Sequence, residues 1–204
     1  MHAPHEHQLY IGGEWITPAS REVEIVINPA TEEGIGLAAL AGPAEIEMAL
    51  SAAREAFDRG PWPRMTVEQR IAILTQMIDW LEQHTEGIRP LIMAETGSVQ
   101  PFTRTMQFAT GIEHARHYLE LARRQSPLNL PLEPVARPDG TTMVGGGVAV
   151  RDPVGVCLAI TPFNVPFTLN LGKAIPALVM GNTVILKPSP NTPFSALVLA
   201  EAAH

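Results

Sequence analysis

The sequence predicts an α/β protein built on an incomplete doubly wound parallel sheet, with a helical layer before it and a protruding β-hairpin. Three observations predict this. An apolar run, Val154 to Ile160, is followed by a loop with proline on both sides of Asn164, an apolar segment from Phe167 to Met180, and a second apolar run, Thr183 to Leu186. Upstream, three stretches repeat their apolar residues at helical period. Between the two regions, residues 126–153 are rich in proline and glycine.

The first observation reads strand, loop, helix, strand. Short apolar runs at this spacing, with Gly181-Asn182 marking the return, suggest a parallel βαβ unit with both sheet faces covered, as in a Rossmann-type fold. Ligands of such sheets bind beyond the carboxyl ends of the strands. Asn164 and Lys187 lie just past those ends and should share one rim. A last apolar helix, Phe194 to His204, would be the second α element of a first mononucleotide half, so the sheet is incomplete.

Taken in order, the chain opens with His2, His5 and His7 around Glu6, a set read as a disordered end rather than a metal site. The segments LYIGGEWI and EVEIVI read as short antiparallel strands, with turns at Gly12-Gly13 and Asn28-Pro29-Ala30-Thr31, and Gly34 to Ala41 as another strand. The first helix starts near Pro43, carries Ile46, Ala49, Leu50, Ala53 and Phe57 on one face, and stops at Gly60. Pro61-Trp62-Pro63 is a stiff connection. The second opens with Thr66 and Gln69 in capping-box spacing before Val67, Ile71, Leu74, Met77, Ile78 and Leu81. Gly97, in Glu95-Thr96-Gly97, fits a helix stop.

In the third helix Phe102, Met106, Ala109, Ile112, Leu119 and Ala122 form the stripe. All three apolar faces are expected in the core. Glu113, His114 and His117 read as a solvated face, since side chains at that spacing lack a further ligand. Asp139-Gly140 predicts a hairpin turn between Leu132 to Arg137 and Thr141 to Val150. Gly145-Gly146-Gly147 does not read as a phosphate loop, because no Lys-Ser/Thr follows and no helix opens.

Composition excludes several classes. A hydrophobic content of 46% is ample for a core, and a net charge of −7 without a basic run disfavours nucleic acid and anionic membranes. No segment approaches roughly 18 uninterrupted apolar residues, and the amino terminus lacks signal-peptide blocks, so a cytoplasmic protein is expected. The one cysteine, Cys157, lies inside a predicted strand and reads as core packing rather than a nucleophile.

TPFNVPF, the spaced Lys173, PALVMGNTVILKPSPNTP, and the earlier IGGEW, INPATEE and AAREAFD together resemble the amino-terminal part of the NAD(P)-dependent aldehyde dehydrogenase superfamily. The resemblance runs from Leu9 onward in unbroken order. It implies an aldehyde-dehydrogenase-like fold divided into residues 1–125 of the cofactor-binding domain, a 126–153 hairpin for oligomerisation, and 154–204 as the first part of the NAD(P)-binding unit. It also implies an aldehyde substrate, NAD or NADP as cofactor, and a homo-oligomer joined through residues 126–153; from the histidine clusters above, no metal is expected.

By this resemblance Asn164 is the oxyanion-stabilising asparagine; on local sequence alone, a loop asparagine capping the next helix remains open. Lys187 binds the adenosine ribose, and Ile160, Thr161, Pro162 and Phe163 lie along the cofactor, partly through backbone. Phe163 replaces the tryptophan common there. Pro190 stands where many NAD-preferring relatives carry glutamate, and with Ser189 beside the lysine this predicts tolerance of a 2′-phosphate. Lys173 matches a lysine near the family's active site. Phe163, Phe167 and Leu171 suggest an apolar approach for substrate.

The family's catalytic cysteine, general-base glutamate and glycine-containing cofactor turn correspond to positions after His204. The expectation is therefore part of an aldehyde dehydrogenase, the alternative being a non-catalytic nucleotide-binding or oligomer-modifying module. An incomplete sheet is also expected to leave apolar surface uncovered on Val179, Val184, Leu186, Leu197 and Leu199.

Overall fold

The computed structural model describes residues 5–204, so His2 lies outside it. Alternating residues give two hairpins first. β1 (Leu9–Ile11) and β2 (Glu14–Ile16) pair antiparallel around Gly12 and Gly13, whose positive φ values of 64° and 88° suit a two-residue turn that matches strand twist. β3 (Val23–Ile27) and β4 (Gly34–Ala39) form the second, with Asn28 Oδ1 accepting from the Ala30 amide in the expected turn. Residues 5–8 are not the loose end expected. His5 stacks on Trp15 with centroids 3.4 Å apart and sets Nε2 3.1 Å from the Glu201 carboxylate, while Glu6 accepts from the Leu37 amide.

α1 (Pro43–Asp58) begins at its proline, with Glu45 accepting from the amides of Gly42 and Ala19. Its predicted face is only partly buried: Ile46 and Leu50 stay 50% and 48% exposed. The reason is the narrowness of what the helix packs on. Its main partners are two parallel strands and their flanks, and the stripe overhangs them.

α2 (Val67–Gln83) follows expectation, with the Thr66/Gln69 capping box formed and Ile71, Leu74, Ile78 and Leu81 buried. α3 (Thr85–Thr96) is an unpredicted helix. Gly87 and Pro90 argue against it locally, but burial of Ile88, Leu91 and Ile92 outweighs the hydrogen bond that Pro90 removes. It ends at Gly97 with φ +68°, the left-handed stop expected there.

The third predicted helix is not uniform. α4 (Gln100–Phe102) leads into a π-helical turn, Thr103–Ala109, and then α5 (Thr110–Arg123). A π turn inserts an extra residue, about 100° of rotation, so side chains before it lose phase with those after it. Phe102 and Met106 are therefore 41% and 47% exposed, and Thr103, Gln107 and Phe108 are buried in their place. Past the turn, Ile112, Leu119 and Ala122 are buried as predicted, and Glu113, His114 and His117 are exposed.

The 126–153 ribbon forms as two tiers. β6 (Glu133–Ala136) pairs with β7 (Thr142–Gly145) across the Asp139-Gly140 turn, and β5 (Leu128–Asn129) pairs with β8 (Val148–Ala149). Except for half-buried Gly145, every residue from 128 to 150 is exposed.

β9 (Val156–Ile160), α6 (Pro166–Val179), β10 (Thr183–Lys187) and α7 (Phe194–Ala203) complete the chain. β9 and β10 are parallel, with Val156 opposite Thr183 and Ile160 opposite Lys187. Asn182 ties the return down: its Oδ1 accepts from the amides of Val154 and Gly155, and its Nδ2 donates to Ala177 O. At the other edge of the helix, Trp62 Nε1 and Arg70 Nε donate to the carbonyls of Leu178 and Val179.

The core lies between the helical layer and one face of this ladder, where Phe167, Leu171, Ile175 and Phe194 are fully buried. Two expectations are corrected here. Phe167 and Leu171 do not approach substrate, since Phe167 stacks on Phe108 in the core. Val179 and Leu199 are covered by the helices, whereas Leu158 and Ile160 on the opposite face are 62% and 58% exposed. α1 shields that face only at its start, where Thr183 Oγ1 donates to Ala53 O.

Candidate functional site

The rim is assembled from the two strand ends. Thr161 N donates to Lys187 O, carrying the ladder one step past β9, and its hydroxyl, buried, donates to Asn170 Oδ1 at 2.6 Å. Both polar hydrogens of Thr161 are thus used internally, and its backbone carbonyl is what remains for a ligand. Pro162, Phe163 and Asn164 are exposed. The N-cap of α6 is Val165, without a side-chain capping bond, so Asn164 does not hold the capping position that local sequence left open.

Two contacts from the π turn hold this loop. Gln107 Nε2 donates to Asn164 O at 3.1 Å, and the Thr168 hydroxyl sits 2.9 and 3.1 Å from the carbonyls of Met106 and Gln107.

Lys187 stands opposite Ile160 on the exposed face of the ladder, its Nζ donating to the adjacent Pro188 O at 3.2 Å. Ser189 organises the next turn through its hydroxyl, which accepts from Asn191 N, and its carbonyl, which accepts from Thr192 N. Pro190 is exposed. Phe163, Asn164 and Pro190 come together with Ile25, Ile27 and Glu95 in a cleft of about 490 Å³. Ile160 and Lys187 lie outside that cleft, on the sheet face. Lys173 is exposed on α6, and Cys157 is half-buried in β9 with a free thiol.

Glu95 is the charged group that sequence reading missed. Only 2% exposed, it accepts from the amides of Phe194 and Ser195 at the start of α7. Burial pushes its carboxyl up to about 8, with the hydrogen bonds from Ser195 and Phe194 acting in the opposite sense. Its position just before the Gly97 helix stop was visible, but its partner lies about a hundred residues away. Gln107 was equally hidden, as a polar residue one step from an apolar stripe. Among the described residues no group of three His, Cys, Asp or Glu side chains could hold a metal ion, and no helix is long and apolar enough to cross a membrane.

An exposed neutral donor on a proline-flanked loop thus stands beside an ammonium at the end of the adjacent parallel strand, on the strand-end rim where α/β sheets take their ligands. Comparison with known proteins carries this further. The aldehyde dehydrogenase family profile matches residues 15–204, and the chain belongs to that family.

The chain is 33% identical over 95% of its length to aldehyde dehydrogenase 1 of Tanacetum cinerariifolium, covering 37% of that protein. It is 36% identical over 95% of its length to 3-succinoylsemialdehyde-pyridine dehydrogenase of a Pseudomonas species, covering 38% of it. The crystal structure of Mycobacterium tuberculosis aldehyde dehydrogenase complexed with NAD+ superposes with a TM-score of 0.85 at 33% identity, over 97% of this chain and 39% of that one. This chain thus spans under two fifths of each of these three relatives.

Proposed function

We propose that this chain supplies the oxyanion donor and part of the cofactor wall of an NAD(P)-dependent aldehyde dehydrogenase. The reaction oxidises an aldehyde to a carboxylic acid through a thiohemiacetal and a thioester on a cysteine contributed from outside these residues. The observation that carries the reading is Asn164. Its carboxamide cannot titrate, and it stands exposed on a loop held by Gln107 at the rim that also bears Lys187. When the aldehyde carbonyl is attacked, negative charge collects on its oxygen, and a fixed N–H donor stabilises that charge more than it stabilises the substrate.

The residues present fit a dinucleotide. Lys187 offers an ammonium that donates to its neighbour's carbonyl, beside the exposed Ile160, as a ribose with its hydroxyls would require. The bound nicotinamide supplies the hydride acceptor. Lys187 would hold the adenosine ribose and the backbone at Ile160, Thr161, Pro162 and Phe163 would lie along the dinucleotide, with Ser189 and Pro190 placing no carboxylate beside the ribose to repel a 2′-phosphate.

Residues 126–153 act as an arm for subunit contact in a homo-oligomer. Leu132, Val144 and Val150 are 74%, 67% and 62% exposed on a ribbon with almost no core of its own, which favours a second surface against it. A cytoplasmic location fits the same picture.

The decisive test is Asn164→Ala in the complete enzyme. Losing an oxyanion donor costs about 2.7–4 kcal/mol, so turnover should fall roughly a hundredfold or more with little change in KM. Unchanged turnover would refute the assignment.

A further inference from the structure

We propose that Gln107 is a positioning residue for the oxyanion donor, and that the π-helical turn Thr103–Ala109 exists to carry it there. The inference rests on the reading of Asn164 given above.

Gln107 is fully buried. Its Nε2 donates to Ser98 Oγ at 3.0 Å and to the main-chain oxygen of Asn164 at 3.1 Å. A carbonyl only accepts, so the amide must present its NH2 to Asn164, and the orientation of the side chain is settled by chemistry. Its own Oε1 is left buried without a partner among the described residues. An apolar residue would avoid that desolvation, so packing alone gives no reason for a glutamine.

The Ser98 hydroxyl lies 2.7 Å from the Thr96 hydroxyl at the end of α3, which braces the amide from behind. The wider winding matters in the same way. A regular α-helix through this segment would bring Met106 towards the core, as its sequence period predicts; the extra residue of the π turn turns Gln107 inward instead. The Met106 and Gln107 carbonyls then meet the Thr168 hydroxyl in the first turn of α6. Gly111 permits the approach, since a Cβ there would stand 3.0 Å from the Thr168 backbone. The loop bearing Asn164 is thereby fixed on both sides, through its carbonyl and through the helix it leads into.

The test is a double-mutant cycle in the complete dehydrogenase, using Gln107→Leu, Asn164→Ala and the pair. Gln107→Leu should lower kcat about tenfold, with KM for aldehyde within about twofold, and should have no further effect once Asn164 is alanine. A pure folding role would instead lower activity equally in both backgrounds, and that outcome overturns the proposal, as does an unchanged kcat.

Gln107→Glu supplies a second readout. A protonated carboxyl can donate to Asn164 O and an ionised one cannot, so its activity relative to the parent should be retained at low pH and lost as pH rises. A pH-independent ratio overturns the proposal even where Gln107→Leu does not fold. If Asn164→Ala itself leaves turnover intact, the oxyanion reading fails first and takes the positioning role with it. If Asn164→Ala is impaired and Gln107→Leu is not, the positioning role alone fails.

Discussion

Replacing Glu95 with glutamine should reverse the order of local stability between low and high pH. The carboxyl joins α3 to α7 through amides 3.0 and 3.2 Å away, in a site that is almost entirely dry. Burial raises it from the ordinary 4.5 to about 8. Between those values the folded protein keeps a proton that the unfolded chain releases, so the contribution is full below about pH 4.5 and is lost as pH rises to about 8. Each pH unit in that window changes stability by about 1.4 kcal/mol, so moving from pH 4.5 to 7 lowers it by about 3 kcal/mol. The positive end of the α7 dipole favours the ionised form by roughly 0.3–1 kcal/mol, too little to change the sign. Glutamine keeps the shape and one acceptor but sets an NH2 towards the second amide, a conflict that costs about 1–3 kcal/mol at every pH. Glu95→Gln should therefore be the weaker at pH 5 and the stronger near pH 9. Amide hydrogen exchange at α7 reads this in the complete enzyme, and comparing the two proteins at each pH cancels the intrinsic rate. A difference between them that does not vary with pH would refute the reasoning.

Gly97→Val should destabilise by about 2 kcal/mol or more, because the residue sits at φ +68° and a Cβ would come within 2.8 Å of the Pro29 ring; the denaturation midpoint measures it, and no shift would contradict the strain. Produced alone, the chain should self-associate through the open face bearing Leu158 and Ile160, and Leu158→Lys should reduce this; size-exclusion chromatography reads both, and a monomeric, cooperatively melting chain would count against it. The complete enzyme should use NADP at least as well as glutamate-bearing relatives do. Pro190→Glu should shift the ratio of kcat/KM values towards NAD by about tenfold through like-charge repulsion of the 2′-phosphate, and an unmoved ratio would remove the argument.

The βαβ unit was readable because each element carries its own signal. Five consecutive apolar residues mark β9 and three mark β10, glycine and asparagine mark the return between them, and the prolines at 162 and 166 bound the loop. α2 announced itself through its capping box and period. The failures have a common cause in contacts made far along the chain. α3 contains Gly87 and Pro90, which local propensity rejects, and it forms because Ile88, Leu91 and Ile92 find the core. α1 shows the opposite error: its period is regular, yet Ile46 and Leu50 stay half exposed among the described residues.

The same reasoning explains why the display of Asn164 on an exposed rim loop was legible while the support of that loop was not. Asn164 stands in a short motif where proline on both sides limits the backbone, so the local sequence already says where an amide can be displayed. What aims that amide comes from position 107, and it depends on helix phase. A polar residue one step from an apolar stripe looks like a solvated position under a 3.6-residue period, and only the insertion of one residue by the π turn brings it inside. Such winding is supported where a carbonyl finds a donor outside the helix. Thr168 provides that donor, across 61 residues of chain from Gln107, on the very helix whose first turn follows Asn164. The irregular winding and the site loop therefore form one hydrogen-bonded unit. A substitution that restores regular helix to residues 103–109 should loosen the Asn164 loop before it unfolds the core.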